Sequence, residues 1–270
     1  MISLKSAEEI EAIARAGRIA ARTLELVAGE VRPGASTAEL DRIAEAFIRD
    51  QPGAAPAFKG LYGFPATLCT SVNEEVVHGI PSRGRVLAEG DVVSVDVGVK
   101  LDGFFTDHAV TLPVGEVDDD AAALLDVTRT ALERGMDQAR PGGHVGDIGA
   151  AIQSYVEGRG FAVIRELVGH GVGHAAHEDP QVPNYGRPGH GQELREGLVI
   201  AIEPMVNAGG RRIRTLDDEW TVVTSDGSLS AHFENTVAVT ADGPRVLTRT
   251  GPAAPGGRES TAEEEGQHVG

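Results

Sequence analysis

Residues 92–114 read VVSVDVGVKLDGFFTDHAVTLPV, two largely apolar, β-branched runs joined by Asp102-Gly103. An Asp-Gly pair between such runs marks a two-residue hairpin turn, because the turn needs positive φ angles that these two residues tolerate. The turn fixes the register. Position 96 pairs with 109, and position 107 becomes the diagonal neighbour of 96 on the same face. Asp96 and Asp107 then point at one spot. An ionised carboxylate inside an apolar strand is costly to bury unless a cation or hydrogen-bond donors compensate it, and two of them repel. Unless a metal neutralises both, each raises the proton affinity of the other.

Outward from this hairpin the chain shows a repeated programme. Ser6 and Glu9 have the form of a capping box, and Ile10, Ile13, Ala14 and Ala20 follow at roughly helical spacing, which predicts a helix to about Val27. A break at Arg32-Pro33-Gly34 precedes a second box, Ser36 and Glu39, with Leu40, Ile43, Ala44, Phe47 and Ile48 on one face. Strands are predicted over 67–72, 92–101 and 104–114. A helix over about 118–138 then leads to Arg140-Pro141-Gly142 and a further helix carrying Ile148, Ile152 and Tyr155. A shift of 108 residues carries the first Arg-Pro-Gly onto the second, and Leu40, Ala44 and Phe47 onto Ile148, Ile152 and Tyr155. A shift of 107 carries 92–96 onto 199–203, each an apolar strand ending in a carboxylate. The expected organisation is one catalytic domain, 1–250, of two related α/β halves, about 6–115 and 116–246, with a site where they meet. Helix, Arg-Pro-Gly, helix is also common punctuation, so the repeat alone does not prove duplication.

The second half has its own acids in strand contexts, Glu203 closing VIAIE and Glu234 within AHFENTV. Between the two acid pairs lies GHGVGHAAHE at 169–178, where glycines let imidazoles approach a centre closely. Carboxylates with imidazole form a hard-to-borderline donor set suited to Mn, Fe, Co or Zn. A two-metal hydrolase site follows, its ions about 3.5 to 4 Å apart. Taken singly, Asp107 and Glu234 also suit a solvated strand face, and the His-rich stretch a mobile loop. Asp96 and Glu203, inside apolar runs, are harder to explain that way.

Composition narrows the function classes. Hydrophobic residues at 41% and charged residues at 24% describe an ordinary globular chain. A formal net charge of −17 disfavours a nucleic-acid or anionic-membrane surface. One cysteine, Cys69, excludes an intramolecular disulfide and fits a reducing compartment. The first residues, MISLKSAEEIEAIARAG, carry charges every few positions and lack a signal-type apolar run, so a cytoplasmic location is expected. The last twenty residues, 251–270, are rich in Gly, Pro, Ser and Glu and read as a disordered tail.

Five stretches together resemble the type I methionine aminopeptidases, metallopeptidases of family M24: TSVNEEVVHGIP (70–81), VSVDVGVKLDGFFTDHAVT (93–111), GHGVGHAAHEDPQVPNYG (169–186), IEPMVN (202–207) and WTVVTSDGSLSAHFENTVAVT (220–240). The resemblance runs over about 6–246. It implies an α+β pita-bread fold, with pseudo-twofold duplicated α/β halves around a curved antiparallel sheet. It implies two divalent ions held by Asp96, Asp107, His170, Glu203 and Glu234, with Asp107 and Glu234 bridging. It further implies that a metal-bridging hydroxide removes the initiator methionine from nascent proteins whose second residue is small. Glu203 would carry the proton, His78 would meet the amide beside the scissile bond, and His177 would stabilise the tetrahedral intermediate. Phe58, Tyr62 or Phe64, Cys69 and Trp220 would form the methionine pocket, although such aromatics also serve simply as core.

Three departures from the family pattern stand out. Ala176 is smaller than the expected bulky residue, which suggests a wider pocket. His174 and His108 are additional imidazoles that would either tune the site or lie at the surface, the surface being the favoured reading. The resemblance also implies a partner, the N-terminus of nascent chains near the ribosome, no membrane or DNA, and a monomer. Two rivals accompany this reading. One is a proline-specific aminopeptidase or prolidase of the same fold, which shares the five ligands. The other is a non-catalytic ribosome- or RNA-binding protein on this scaffold, for which a local cluster such as Arg211, Arg212 and Arg214 would offer a basic patch.

Overall fold

The computed structural model describes residues 2–250; the tail expected at 251–270 lies outside them. Helix α1 (Ala7–Ala28) opens with the predicted capping box: the Ser6 hydroxyl accepts the Glu9 N–H, and the Glu9 carboxylate accepts the Ser6 N–H at 2.8 Å. Helix α2 (Thr37–Asp50) starts at the Ser36 cap and buries Leu40, Ala44 and Ile48. Strands β1 (Ala54–Pro56), β2 (Leu68–Val72) and β3 (Glu75–Val77) precede the hairpin of β4 (Val92–Leu101) and β5 (Phe104–Pro113). Helices α3 (Asp119–Asp137) and α4 (Val145–Glu157) follow. Next come β6 (Ala162–Val163), β7 (Gly169–Gly171), β8 (Glu178–Val182), β9 (Val199–Ile202) and β10 (Met205–Asn207). Strands β11 (Ile213–Thr215), β12 (Val222–Thr224), β13 (Ser230–His232), β14 (Glu234–Thr240) and β15 (Gly243–Val246) complete the described chain.

An antiparallel sheet runs β1-β4-β5-β14-β9-β7-β8, with β2 also on β4 and β15 also on β14. Period-two alternation decides what each face of it does. Val93, Val95, Val97 and Val99 are fully buried in one apolar cluster with Leu24 and Val27 of α1 and Leu40 and Ile48 of α2. Each such valine contributes roughly 1.5 to 3 kcal/mol relative to exposure. A second cluster packs Leu124 and Leu132 of α3 and Ile148 and Ile152 of α4 against Ile200, Ile202, Val237 and Val239. With the valines turned to the helices, parity turns Asp96 to the opposite face. Two small three-stranded sheets, β13-β10-β6 and β11-β12-β3, complete the architecture.

Candidate active site

The hairpin register is the one the turn predicts: Asp96 pairs with Ala109, and Gly98 with Asp107. On the far side of β5, Ala109 pairs with Glu234, so Asp96 and Glu234 flank one small alanine across three strands. Glu203 follows Ile202, whose partner is Asn235, and this brings it beside Glu234. His170 sits in β7 between two glycines that permit close backbone packing. A Cβ at Gly171 would lie 2.2 Å from the Asp179 carbonyl oxygen. Strands β4, β5 and β14 and the end of β9 thus bring their acids together.

His170 Nδ1 donates to the Gly171 carbonyl at 2.9 Å, leaving the Nε2 lone pair free to act as a ligand. Nε2 is 3.6 Å from Glu203 Oε1 and 3.9 Å from Asp107 Oδ2. Burial pushes the carboxyls of Asp107, Glu203 and Glu234 well above the usual carboxylate range, and their acidic neighbours add to it. Burial raises Asp96 to about 7. It lowers His170 to about 4, with His177 contributing, so this imidazole is neutral.

Asp96 Oδ1, Glu234 Oε1 and His232 Nε2 are buried without a hydrogen-bond partner. Potential donor atoms fall within 4.8 Å of one another in three sets: Asp96, Asp107 and Glu234; His170, Glu203 and Glu234; and Asp107, His170 and His177. The orphaned carboxylate oxygens, the acids held at high proton affinity and the neutral imidazole fit divalent cations as their compensating partners.

All twelve residues named from the sequence line one cavity of about 280 Å³. Beside the acids its wall is apolar. Phe58 and Phe64 are buried, and Trp220 meets the Phe64 ring edge-on at 5.1 Å between centroids. Gly98 makes room for this wall, since a Cβ there would lie 2.5 Å from the Phe58 ring. Cys69 pairs with Asp96 across β2 and β4. Burial, then the nearby acids, push its thiol up, so it presents a neutral sulfur. Tyr62, 75% exposed, stands at the mouth with its ring 5.8 Å from His177. His78 occupies a left-handed conformation, φ 59°, a strained geometry for a residue with a Cβ. Partial desolvation lowers the pKa of both His78 and His177.

The cavity also takes in Leu61, Val77, Leu167, Val168, Met205 and His232, none of which sequence reasoning had singled out. His232 Nε2 lies 3.7 Å from Glu203 and 3.8 Å from Glu234. Its position two residues before Glu234, in the same β-rich stretch, was the available signal.

The three departures resolve differently. His174 is the surface residue expected, bonded to Ser3 and Glu9 at 3.1 and 2.8 Å. His108 is not. Its Nδ1 donates to the Glu234 carbonyl at 2.6 Å, and burial holds its pKa down to about 4. It faces a separate cavity with Ala21 and Leu24 of α1, because residue 108 has the opposite strand parity to Asp107. Ala176 is buried but is not among the described residues that line the active cavity; His177 is.

Residues 11–241 match metallopeptidase family M24. The methionine aminopeptidase of Clostridium perfringens is 53% identical over 248 residues, 92% of this chain and 99% of that protein. Methionine aminopeptidase 1 of Bacillus subtilis is 53% identical over 249 residues, 92% of this chain and 100% of that one. The crystal structure of the Thermotoga maritima methionine aminopeptidase superposes with a TM-score of 0.91 at 46% identity, covering 92% of this chain and all of that one (100%). A prolidase from Pyrococcus horikoshii shares the fold alone, with a TM-score of 0.74 at 24% identity; the match covers 92% of this chain and 64% of the prolidase. The fold is the expected α+β pita-bread fold, and the family implies use of a divalent metal. The chain belongs to metallopeptidase family M24, among its methionine aminopeptidases.

Proposed function

We propose that this protein hydrolyses the bond after an N-terminal methionine when the next residue is small. The observation that carries this reading is the adjacency, in one cavity, of a buried acid and imidazole cluster with an apolar wall of Phe58, Phe64, Cys69 and Trp220. Asp96, Asp107, His170, Glu203 and Glu234 would hold two divalent ions, Co, Mn, Fe or Zn. Such ions, when bound, polarise the scissile carbonyl and make water acidic enough to attack at neutral pH.

The remaining steps fall to side chains of this chain. The apolar wall, with Tyr62 at its mouth, takes the methionine side chain, whose flexible thioether suits aromatic and sulfur contacts. His78 orients the peptide through the amide beside the scissile bond. His177, its pKa lowered by partial desolvation, donates an N–H to the oxygen on which charge develops. Glu203 receives the proton of the attacking water and passes it to the leaving amine. A small second residue is required because the cavity closes around the scissile bond.

The substrates are N-termini of nascent chains, met near the ribosome in the cytoplasm by a monomeric enzyme that uses neither DNA nor membrane. The net charge of −17 supports the exclusion of DNA, and no helix among the described residues is long and apolar enough to cross a membrane. The catalytic unit is a single domain, 1–250, built from two related halves, 6–115 and 116–246. The parallel placement of α1 and α2, then α3 and α4, against the sheet supports the duplication.

Chelated protein reloaded in turn with Co, Mn, Fe or Zn and offered Met-Ala-Ser and Ala-Pro-Ala tests the function. Release of methionine from the first peptide only is expected. Cleavage of the proline peptide with no methionine release would move the assignment to the prolidase side of the fold.

A further inference from the structure

Lys5 stands outside the catalytic cavity, yet its side chain is 0% exposed. Its ammonium donates to Glu178 Oε2 at 2.5 Å and to the Ser3 carbonyl at 3.1 Å. The backbone is shaped to receive it. A Cβ at Gly173 would lie 2.6 Å from Lys5 Cε, and one at Gly197 would lie 2.7 Å from the Lys5 carbonyl oxygen. The Lys5 N–H donates to the Gly197 carbonyl at 2.7 Å.

Glu178 directly follows His177 and pairs with Gly171, which directly follows His170. Residues 172–177 therefore form the loop of a hairpin that carries a site histidine near each end. The two rings meet at 4.4 Å between centroids. The second oxygen of Glu178 accepts the Ala175 N–H at 2.8 Å, so one carboxylate ties the loop to itself and to Lys5. Ser3 and Glu9 bond the two ring nitrogens of His174 in the same loop. The start of the chain thus grips this loop at Glu178 and at His174.

A buried ammonium and carboxylate contribute little net stability over an apolar replacement, because desolvation offsets their attraction; what such a pair does supply is fixed geometry. We propose that Lys5 is a positioning residue for catalysis, acting through Glu178 to hold the His177 imidazole over the scissile carbonyl. This rests on the role given to His177 above. A displacement of about 1 Å is enough to lower turnover markedly.

A double-mutant cycle on the metal-loaded enzyme tests it. Lys5→Met is expected to lower kcat about tenfold with KM changed less than about twofold, whereas His177→Ala alone lowers kcat about 10²-fold. In the His177→Ala background Lys5→Met should change kcat by less than about twofold, since nothing remains to position. Because Lys5→Met leaves Glu178 buried and unpaired, Lys5→Met/Glu178→Gln serves as the second variant. Its melting temperature should recover while kcat stays low. Equal loss from Lys5→Met in both backgrounds, or recovery of kcat together with melting temperature, would overturn the proposal and leave the His177 role standing. Wild-type turnover by His177→Ala would overturn both.

Discussion

The two walls of the cavity are built by different means. Asp96 and Asp107 on the hairpin and Glu234 on β14 are fixed by an unbroken ladder of strand pairs, and Glu203 continues β9 beside them. The facing wall hangs largely on connections. Phe58 and Phe64 flank a short 3-10 turn, Leu61–Gly63, Tyr62 within it has a φ of 51°, and Trp220 precedes β12. A wall tied into a sheet cannot yield without breaking backbone hydrogen bonds, whereas a wall on loops adjusts by small torsions. On the proposed reading, metal holding falls to the rigid part and side-chain choice to the adaptable one.

Separate substitutions in each wall should separate these functions. Glu203→Ala should have the largest effect, turnover of Met-Ala-Ser falling to background while circular dichroism and melting remain those of a folded protein. Appreciable turnover would mean that the acid wall is not where the chemistry occurs. Gly98→Ala should come next, because its new Cβ would meet the Phe58 ring at 2.5 Å. A loss of about tenfold in kcat/KM for the methionine peptide is expected, with metal affinity by calorimetry unchanged. If metal affinity fell in step, the two walls would not be separable. Tyr62→Ala, at the exposed mouth, should cost only a few-fold in KM, and a larger loss in kcat would tie Tyr62 to His177 instead.

The smallest signal concerns stability. In the metal-free protein the folded state holds Asp96 at about 7 and Asp107, Glu203 and Glu234 well above their usual range. The unfolded chain releases those protons near pH 4. Folding therefore binds more protons than unfolding between about pH 4 and 7, and the metal-free fold loses stability as pH rises through that window. A bound ion favours the ionised acids and reverses the trend. Melting temperatures of chelated and reloaded protein across this range should slope in opposite directions, by about a few degrees. Parallel slopes would mean that these acids do not hold the ion.

The same division governs what the sequence disclosed. Asp96 and Asp107 were legible because an Asp-Gly turn fixes register and a charge inside VVSVDVGV contradicts its surroundings. Helices α1 and α2 were legible from their caps: Ser6 and Ser36 each accept the expected backbone N–H. Phe58, Tyr62 and Trp220 lie in irregular segments where neither period two nor period 3.6 applies, and only the family resemblance pointed to them. His108 was misread because its exposure depends on α1, which packs over that face of β5 from far away in sequence. His232 was passed over although it shares the strand context of Glu234, and the lack of a hydrogen-bond partner at its Nε2 shows only in three dimensions.

Anomalous diffraction from crystals of the cobalt-loaded protein soaked with methionine tests the central claim most directly. The account predicts metal peaks among Asp96, Asp107, His170, Glu203 and Glu234, with the methionine side chain against Phe58, Phe64, Cys69 and Trp220. Metal bound elsewhere, or methionine lying away from that apolar wall, would contradict it.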